Sequence, residues 1–97
     1  MNGPSSAASF VAECFWIGVT EDDLRALDER THACVADLVG AGEDVRYRGS
    51  MLMRADEVVL CRFEGQETSV RLAAERAGIP FVRIVEISES PWMWGPR

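Results

Sequence analysis

Six charged side chains fall on segments with the β-branched, alternating pattern of strands, and they are the first candidates for chemistry. They are Glu13, Arg46, Arg48, Arg62, Arg83 and Glu86. The planar guanidinium of an arginine can hold an anionic or enolate oxygen through two hydrogen bonds, and a glutamate such as Glu13 or Glu86 can act as a general base. The other interpretation is a network of arginine–glutamate pairs that fixes the register of a dimer interface.

The single histidine, His32, is a second candidate site. Asp28 and Glu29 precede it by four and three residues, so both carboxylates are within its reach on a helix. The three residues form a weak candidate metal or proton-transfer cluster, and the alternative is a solvated helix face with a carboxylate-paired histidine. One histidine per chain holds a transition metal poorly unless a dimer doubles the set.

Aromatic residues on strands and near the C-terminus suggest a third site. Tyr47 and Trp92, together with Arg48 and Arg62, are the candidate ligand-binding residues. A pocket between the sheet and the helices, lined by Tyr47, Arg62 and a carboxylate, would suit a small enzyme; Tyr47, Arg62, Glu13 and Arg83 are its catalytic candidates. The alternative is that these aromatic residues are core or interface anchors.

Composition excludes several other chemistries. All ten basic residues are arginine, which rules out a Schiff-base lysine and a P-loop lysine. The net charge of −6 disfavours nucleic acid and anionic membranes as partners. The three cysteines form no CxxC motif and fit small buried residues in a reducing compartment. No signal peptide or membrane span is recognisable, so we expect a cytoplasmic protein.

The order of elements predicts the fold. Strands are expected over 10–17, 45–53, 58–63 and 81–88, with helices from a Thr20 cap to Gly40 and over 66–77. In the second strand, strict alternation places Tyr47, Gly49 and Met51 on one face. The βαββαβ order predicts an α+β, ferredoxin-like domain, with two helices on one face of a four-stranded antiparallel sheet.

The other face of this sheet would remain open while carrying apolar residues. Leu60, Val85, Ile87 and the strand methionines cannot all face two helices, so we expect a homodimer that packs sheet against sheet, of the dimeric α/β-barrel type. The domain is predicted to span residues 10–97, with a flexible leader over 1–9 and an aromatic tail over 90–97.

The segments 45–50, 57–64 and 73–87 resemble a group of small actinobacterial domains known as nickel-binding proteins. The resemblance covers residues 10–88 and implies a ferredoxin-like dimer and nickel as the possible metal. Members that bind metal tend to carry two histidines four residues apart near the end of the second helix. Our placement of those positions falls on Ala73 and Ala77, which cannot coordinate a metal, so no ligand set is carried over.

Three functions are compatible with these observations. The first is a noncatalytic homodimer that binds a small ligand or a metal. The second is a cofactor-free enzyme of the isomerase, cyclase or monooxygenase type, which is an analogy at the level of the fold. The third is an interaction module whose open sheet face binds another protein.

Overall fold

Residues 8–88 are described by the computed structural model, and they follow the predicted order of strands and helices. The elements are β1 (Ala8–Phe15), α1 (Glu21–Gly40), β2 (Val45–Met53), β3 (Val58–Gly65), α2 (Glu67–Arg76) and β4 (Arg83–Ile87). The strands form one antiparallel sheet in the order β2-β3-β1-β4. The predicted ferredoxin-like α+β fold is confirmed.

The two helices define two different faces of the sheet. We call the face against α1 and α2 the covered face; its side chains are those of Ala8, Phe10, Ala12, Cys14, Val45, Tyr47, Ser50, Leu52, Val59, Cys61, Phe63, Ile84 and, exposed on the edge strand, Glu86. Most are buried, and with Leu27, Val35 and Val70 of the helices they form the core. The opposite side, which the described residues leave uncovered, is the open face.

Helix α1 begins where the sequence predicts. The Thr20 hydroxyl accepts the backbone N–H of Asp23 at 3.0 Å, while the Asp23 carboxylate accepts the backbone N–H of Thr20 at 2.9 Å. This reciprocal capping satisfies two backbone donors that the first turn leaves free. Acidic residues in the first turn add a favourable interaction with the positive end of the helix dipole.

A β-bulge in β2 overturns the predicted facing of its second half. Tyr47 pairs with Phe63, but the next partnered residue is Gly49, opposite Arg62, so Arg48 is an extra residue in the strand. One inserted residue exchanges the two faces for everything that follows. Tyr47 therefore lies on the covered face while Gly49 and Met51 lie on the open face, and the prediction that the three share a face was wrong.

Glycine is required at the junction of β3 and α2. Gly65 has a φ of 135°, and a Cβ at this position would lie 2.1 Å from the carbonyl oxygen of Asp44. The same carbonyl accepts the backbone N–H of Gln66 at 2.9 Å. This close approach joins the start of α2 to the turn before β2, which sets the position of β2 at the edge of the sheet.

The element bounds differ slightly from those predicted at the two ends. Strand β1 begins at Ala8, so the last two residues of the predicted leader belong to the sheet. The rest of the leader, and the aromatic tail over 90–97 with Trp92, lie outside the described residues. No helix within residues 8–88 is long and apolar enough to cross a membrane.

Candidate functional site

The strand register arranges the open face in four rows that cross the sheet. Arg46, Glu64, Ser9 and Ile87 form the first row, and Gly49, Arg62, Val11 and Val85 form the second. Met51, Leu60, Glu13 and Arg83 form the third, and Met53, Val58 and Phe15 form the fourth. Arg46, Glu64 and Arg62 lie in the first two rows, which we call the charged end. The large side chains of Met51, Met53 and Phe15 lie in the last two rows, which we call the apolar end, although this end also holds Glu13 and Arg83.

The apolar end is exposed to solvent in the single chain. Phe15 and Met51 are each 61% exposed and Met53 is 42% exposed. Val85, in the second row, is also exposed. The predicted uncovered apolar surface is thus present among the described residues.

A groove of about 470 Å³ runs across the first three rows. Its apolar lining comes from Val11, Met51, Leu60 and Ile87, and its charged lining from Arg48 and Arg62. Gly49 lies on its floor, where a Cβ would meet no atom within 4 Å, so the missing side chain leaves open space. This volume is within the range of ordinary small-molecule sites.

At the charged end, Arg46, Arg48 and Arg62 surround the carboxylate of Glu64. We call these three residues the arginine cluster. Glu64 lies 3.3 Å from Arg62, 3.5 Å from Arg46 and 3.8 Å from Arg48, measured from carboxylate oxygen to guanidinium nitrogen. Arg46 also contacts the carboxylate of Asp44 at 3.1 Å. Three positive and two negative groups leave one positive charge in excess at this corner of an acidic protein.

Glu13 and Arg83 form a separate pair in the third row. The Arg83 Nε donates to the Glu13 carboxylate at 2.5 Å, across the β1–β4 pairing. Glu13 is largely shielded while Arg83 is two-thirds exposed. This pair and the arginine cluster show that arginine–glutamate pairs form on the open face, and the dimer interface that the same interpretation included stays a prediction.

On the covered face, Tyr47 is tied to helix α1. Its hydroxyl donates to Asp28 at 2.6 Å, and the hydroxyl of Ser50 donates to the same carboxylate oxygen at 2.8 Å. Burial, and then the hydrogen bond to Asp28, raise the pKa of Tyr47 far above its usual value, so the phenol stays neutral. The His32 ring meets the Tyr47 ring edge to face at 5.1 Å.

Two of the three cysteines also lie on the covered face. Cys14 and Cys61 are fully buried on neighbouring strands, and Cys34 on α1 is partly buried. The contact with Cys14, together with burial, raises the pKa of the Cys61 thiol well above its usual value. These positions fit the expectation of small core residues.

The sequence predicted an enzyme pocket between the sheet and the helices, lined by Tyr47, Arg62 and a carboxylate. The structure does not bring these residues together, so that prediction was wrong. Tyr47 and Arg62 lie on opposite faces of the sheet, because Tyr47 pairs with Phe63, the residue that follows Arg62. Arg62, Arg48, Glu13 and Arg83 share the open face, but Glu13 and Arg83 bond each other beyond the groove lining. Trp92 lies outside the described residues.

The residues that were candidates for a metal do not form a ligand set within one chain. Asp28 points towards β2 and accepts two hydroxyl hydrogen bonds, while Glu29 is exposed. Across residues 8–88, no group of three or more His, Cys, Asp and Glu side chains could hold a metal ion. Ala73 and Ala77 are buried on the inner side of α2 and offer no ligand atom.

Three residues of the open-face site were not singled out from the sequence. Glu64 continues the alternation of Arg62 two residues later, which was a usable signal for their shared face. Gly49 and Met51 depend on the bulge at Arg48, and no feature of the sequence locates that bulge.

Comparisons with known proteins agree with this architecture. The crystal structure of SCO4226 from Streptomyces coelicolor A3(2) superposes with a TM-score of 0.67 at 26% identity, covering 86% of this chain and 99% of that one. No curated protein matches the chain. The profile of one family, described as nickel responsive protein SCO4226-like, matches residues 11–87. Since this match spans most of the sequence, the chain belongs to the SCO4226-like family of nickel responsive proteins.

Proposed function

We propose that this protein is a noncatalytic homodimer that packs the open faces of two sheets together and holds a small ligand in the open-face groove. The exposed apolar end of the open face carries the proposal. Phe15, Met51 and Met53 present large side chains to water on a side that neither helix covers. Contiguous apolar surface of this kind marks an interaction site far more often than it marks idle surface.

The size of the face suits a self-complementary interface. Strands spaced about 4.8 Å apart and about 20–25 Å long give the four-stranded face roughly 400–500 Å² before side-chain relief is counted. Stable interfaces bury about 800 Å² of accessible surface per partner, which relief and flanking loops can supply. A two-fold axis would bring the same patch from each copy into contact.

A noncatalytic role is supported by how the candidate acid–base groups are used. Glu13 is paired with Arg83, and Glu64 is surrounded by arginines. The Tyr47 hydroxyl is committed to Asp28 in the core. A general base needs a lone pair directed at substrate, and these groups direct theirs at one another.

The test is a matched pair of charge substitutions. Met51→Glu places a carboxylate in the apolar part of the open face, and Val39→Glu places one on α1, at a side chain 51% exposed on the helix side. Light scattering during size exclusion, over a hundredfold range of protein concentration, should give dimer for the native chain and Val39→Glu, and monomer for Met51→Glu.

Each departure from that pattern contradicts part of the proposal. A native chain that is monomeric throughout would overturn the homodimer and favour another protein as the partner of the open face. If Met51→Glu and Val39→Glu were both dimeric, the contact would lie away from Met51, and the sheet-to-sheet arrangement would be wrong.

Metal binding is a second candidate, and the family description is what favours it. His32 is solvent-exposed, and a homodimer holds two copies of it. No ligand set assembles among the described side chains of one chain. We therefore assign no complete ligand set to nickel, and a direct titration tests the weak binding expected of His32.

A further inference from the structure

We propose that the open-face groove binds a small amphipathic carboxylate, with its carboxylate at Arg48 and Arg62 and its apolar body along Val11, Leu60 and Met51. This inference rests on the proposed ligand-binding function and specifies the chemical class of the ligand. Ligand binding in the groove can be tested separately from the oligomeric state.

The first support is the sign of the charge at the groove. Among the described residues that line the groove, the charged ones are Arg48 and Arg62, and both are positive. The whole chain, by contrast, has a net charge of −6. With Arg46 and Asp44 included, the arginine cluster and its two carboxylates retain one positive charge. An anion entering here meets an excess of positive charge, which favours its binding.

The second support is the shape of the charged groups. Arg62 and Arg48 approach the same oxygen, Oε2 of Glu64, at 3.3 and 3.8 Å. A carboxylate is therefore already accommodated between these two guanidinium groups. Arginine forks match the planar geometry of a carboxylate, and the half-exposed Arg48 can turn towards a second one in the groove.

The third support is the apolar lining that adjoins the arginines. Val11, Leu60, Met51 and Ile87 line the remainder of the groove and provide a surface for a hydrocarbon or aromatic body. At about 30 Å³ for each water-sized unit, the groove volume of about 470 Å³ has room for an organic anion of about ten to fifteen non-hydrogen atoms. A simple inorganic anion would leave the apolar lining unused.

Glu64 is the internal competitor in this arrangement. Its carboxylate neutralises the guanidinium groups that a ligand would engage, and its removal should release them. The structure thus predicts a gain in affinity from Glu64→Gln, which a merely structural ion pair would not give.

The probes are octanoate and 1-octanol, which share an apolar chain and differ in the charge of the head group. Isothermal titration calorimetry on the native protein should show octanoate binding at least tenfold tighter than octanol, and the advantage should shrink as salt is raised. Glu64→Gln should bind octanoate several-fold tighter. Arg48→Gln combined with Arg62→Gln should reduce octanoate affinity at least tenfold and leave octanol unchanged.

Arg25→Gln combined with Arg54→Gln is the matched control, since it removes two charges from exposed pairs with Asp22 and Glu21 outside the groove. It should leave octanoate affinity within twofold of the native value. If the double variant unfolds by circular dichroism, Arg48→Gln alone, at a side chain half exposed to solvent, replaces it with an expected loss of several-fold.

The outcomes separate the two proposals. Equal affinity for octanol and octanoate would overturn the carboxylate assignment while leaving a ligand groove in place. Octanoate binding that is indifferent to the arginine and Glu64 variants would put the anion elsewhere and would also overturn the assignment. Absence of binding by either probe would count against both the assignment and the proposed ligand-binding role, whereas the dimer would still be judged by its own experiment.

Discussion

Both faces of this sheet carry large apolar side chains, but the surroundings of those side chains differ. On the covered face, Ala12, Cys61 and Phe63 are completely buried beneath two helices. On the open face, Met51 and Phe15 are more than half exposed. The difference comes from the number of covering elements, because two helices can shield one side of a four-stranded sheet and no more.

Polar groups follow the same division. On the covered face, the hydroxyls of Tyr47 and Ser50 donate to Asp28 of α1. Polar groups on the open face pair with one another within the plane of the sheet, as Glu13 does with Arg83. The two helices of one chain therefore bury most of the covered face, whereas the open face keeps large apolar side chains exposed.

The largest expected effect comes from truncating one apolar side chain on each face. Phe63→Ala should lower the free energy of unfolding by about 3–5 kcal/mol, because it removes a fully buried ring and leaves a cavity. Met51→Ala should cost less than about 1 kcal/mol in a monomer, since its side chain is mostly in water. Urea unfolding at low protein concentration measures both.

Raising the protein concentration sharpens the same comparison. If the open face is buried in a homodimer, the cost of Met51→Ala should grow with concentration, because stability is then linked to association. The cost of Phe63→Ala relative to native at a fixed concentration should stay large throughout. If Phe63→Ala and Met51→Ala both lowered the free energy of unfolding by the same large amount in a monomer, the open face would be as buried as the covered face, and the comparison would be wrong.

Removing the Tyr47 hydroxyl, which donates a hydrogen bond from the covered face to Asp28 of α1, should have a smaller effect on stability. Tyr47→Phe should cost about 1–2 kcal/mol at neutral pH, because Asp28 loses one of its two hydroxyl donors. The native fold holds the phenol neutral above its ordinary pKa of 10.0. Stability from this group is therefore full below about pH 10 and falls above it, by up to about 1.4 kcal/mol per pH unit.

Comparing unfolding of native protein and Tyr47→Phe between pH 7 and 11 isolates this term. The variant should lose less stability than the native chain above pH 10, and the ultraviolet absorbance of the chain's one tyrosine should show no ionisation before unfolding. A tyrosine that titrates normally in the folded protein would mean that its hydroxyl is not buried against Asp28.

The smallest binding effect that we expect is the affinity of the protein for nickel. One exposed imidazole per chain, with Asp28 engaged by two hydroxyls, should bind Ni²⁺ with a dissociation constant on the order of micromolar or weaker. Calorimetric titration of Ni²⁺ into the metal-free protein should show that weak binding, and His32→Ala should abolish it. Nanomolar binding, or binding that survives His32→Ala, would reveal a ligand set that the described residues do not assemble.

Local patterns allowed much of the fold to be predicted. The Thr20 cap and its acidic first turn locate the start of α1, and the short turn over 54–57 predicts the β2–β3 hairpin. The site was predicted less completely. Arg48 and Arg62 were correctly grouped, but Tyr47 was grouped with them although it lies on the other side of the sheet.

The sequence by itself determined which segments become strands and helices, and that their apolar surface exceeds what two helices can cover. Those properties depend on local residue spacing, helix capping and composition, and all three can be recognised in the sequence. Only the tertiary structure decided which residues share a face after Arg48, since a single bulged residue reverses the alternation and no feature of the sequence locates it. It also decided that Glu64 meets Arg46 and Arg48 in addition to Arg62, because these two contacts depend on the register between β2 and β3 and not on any one segment.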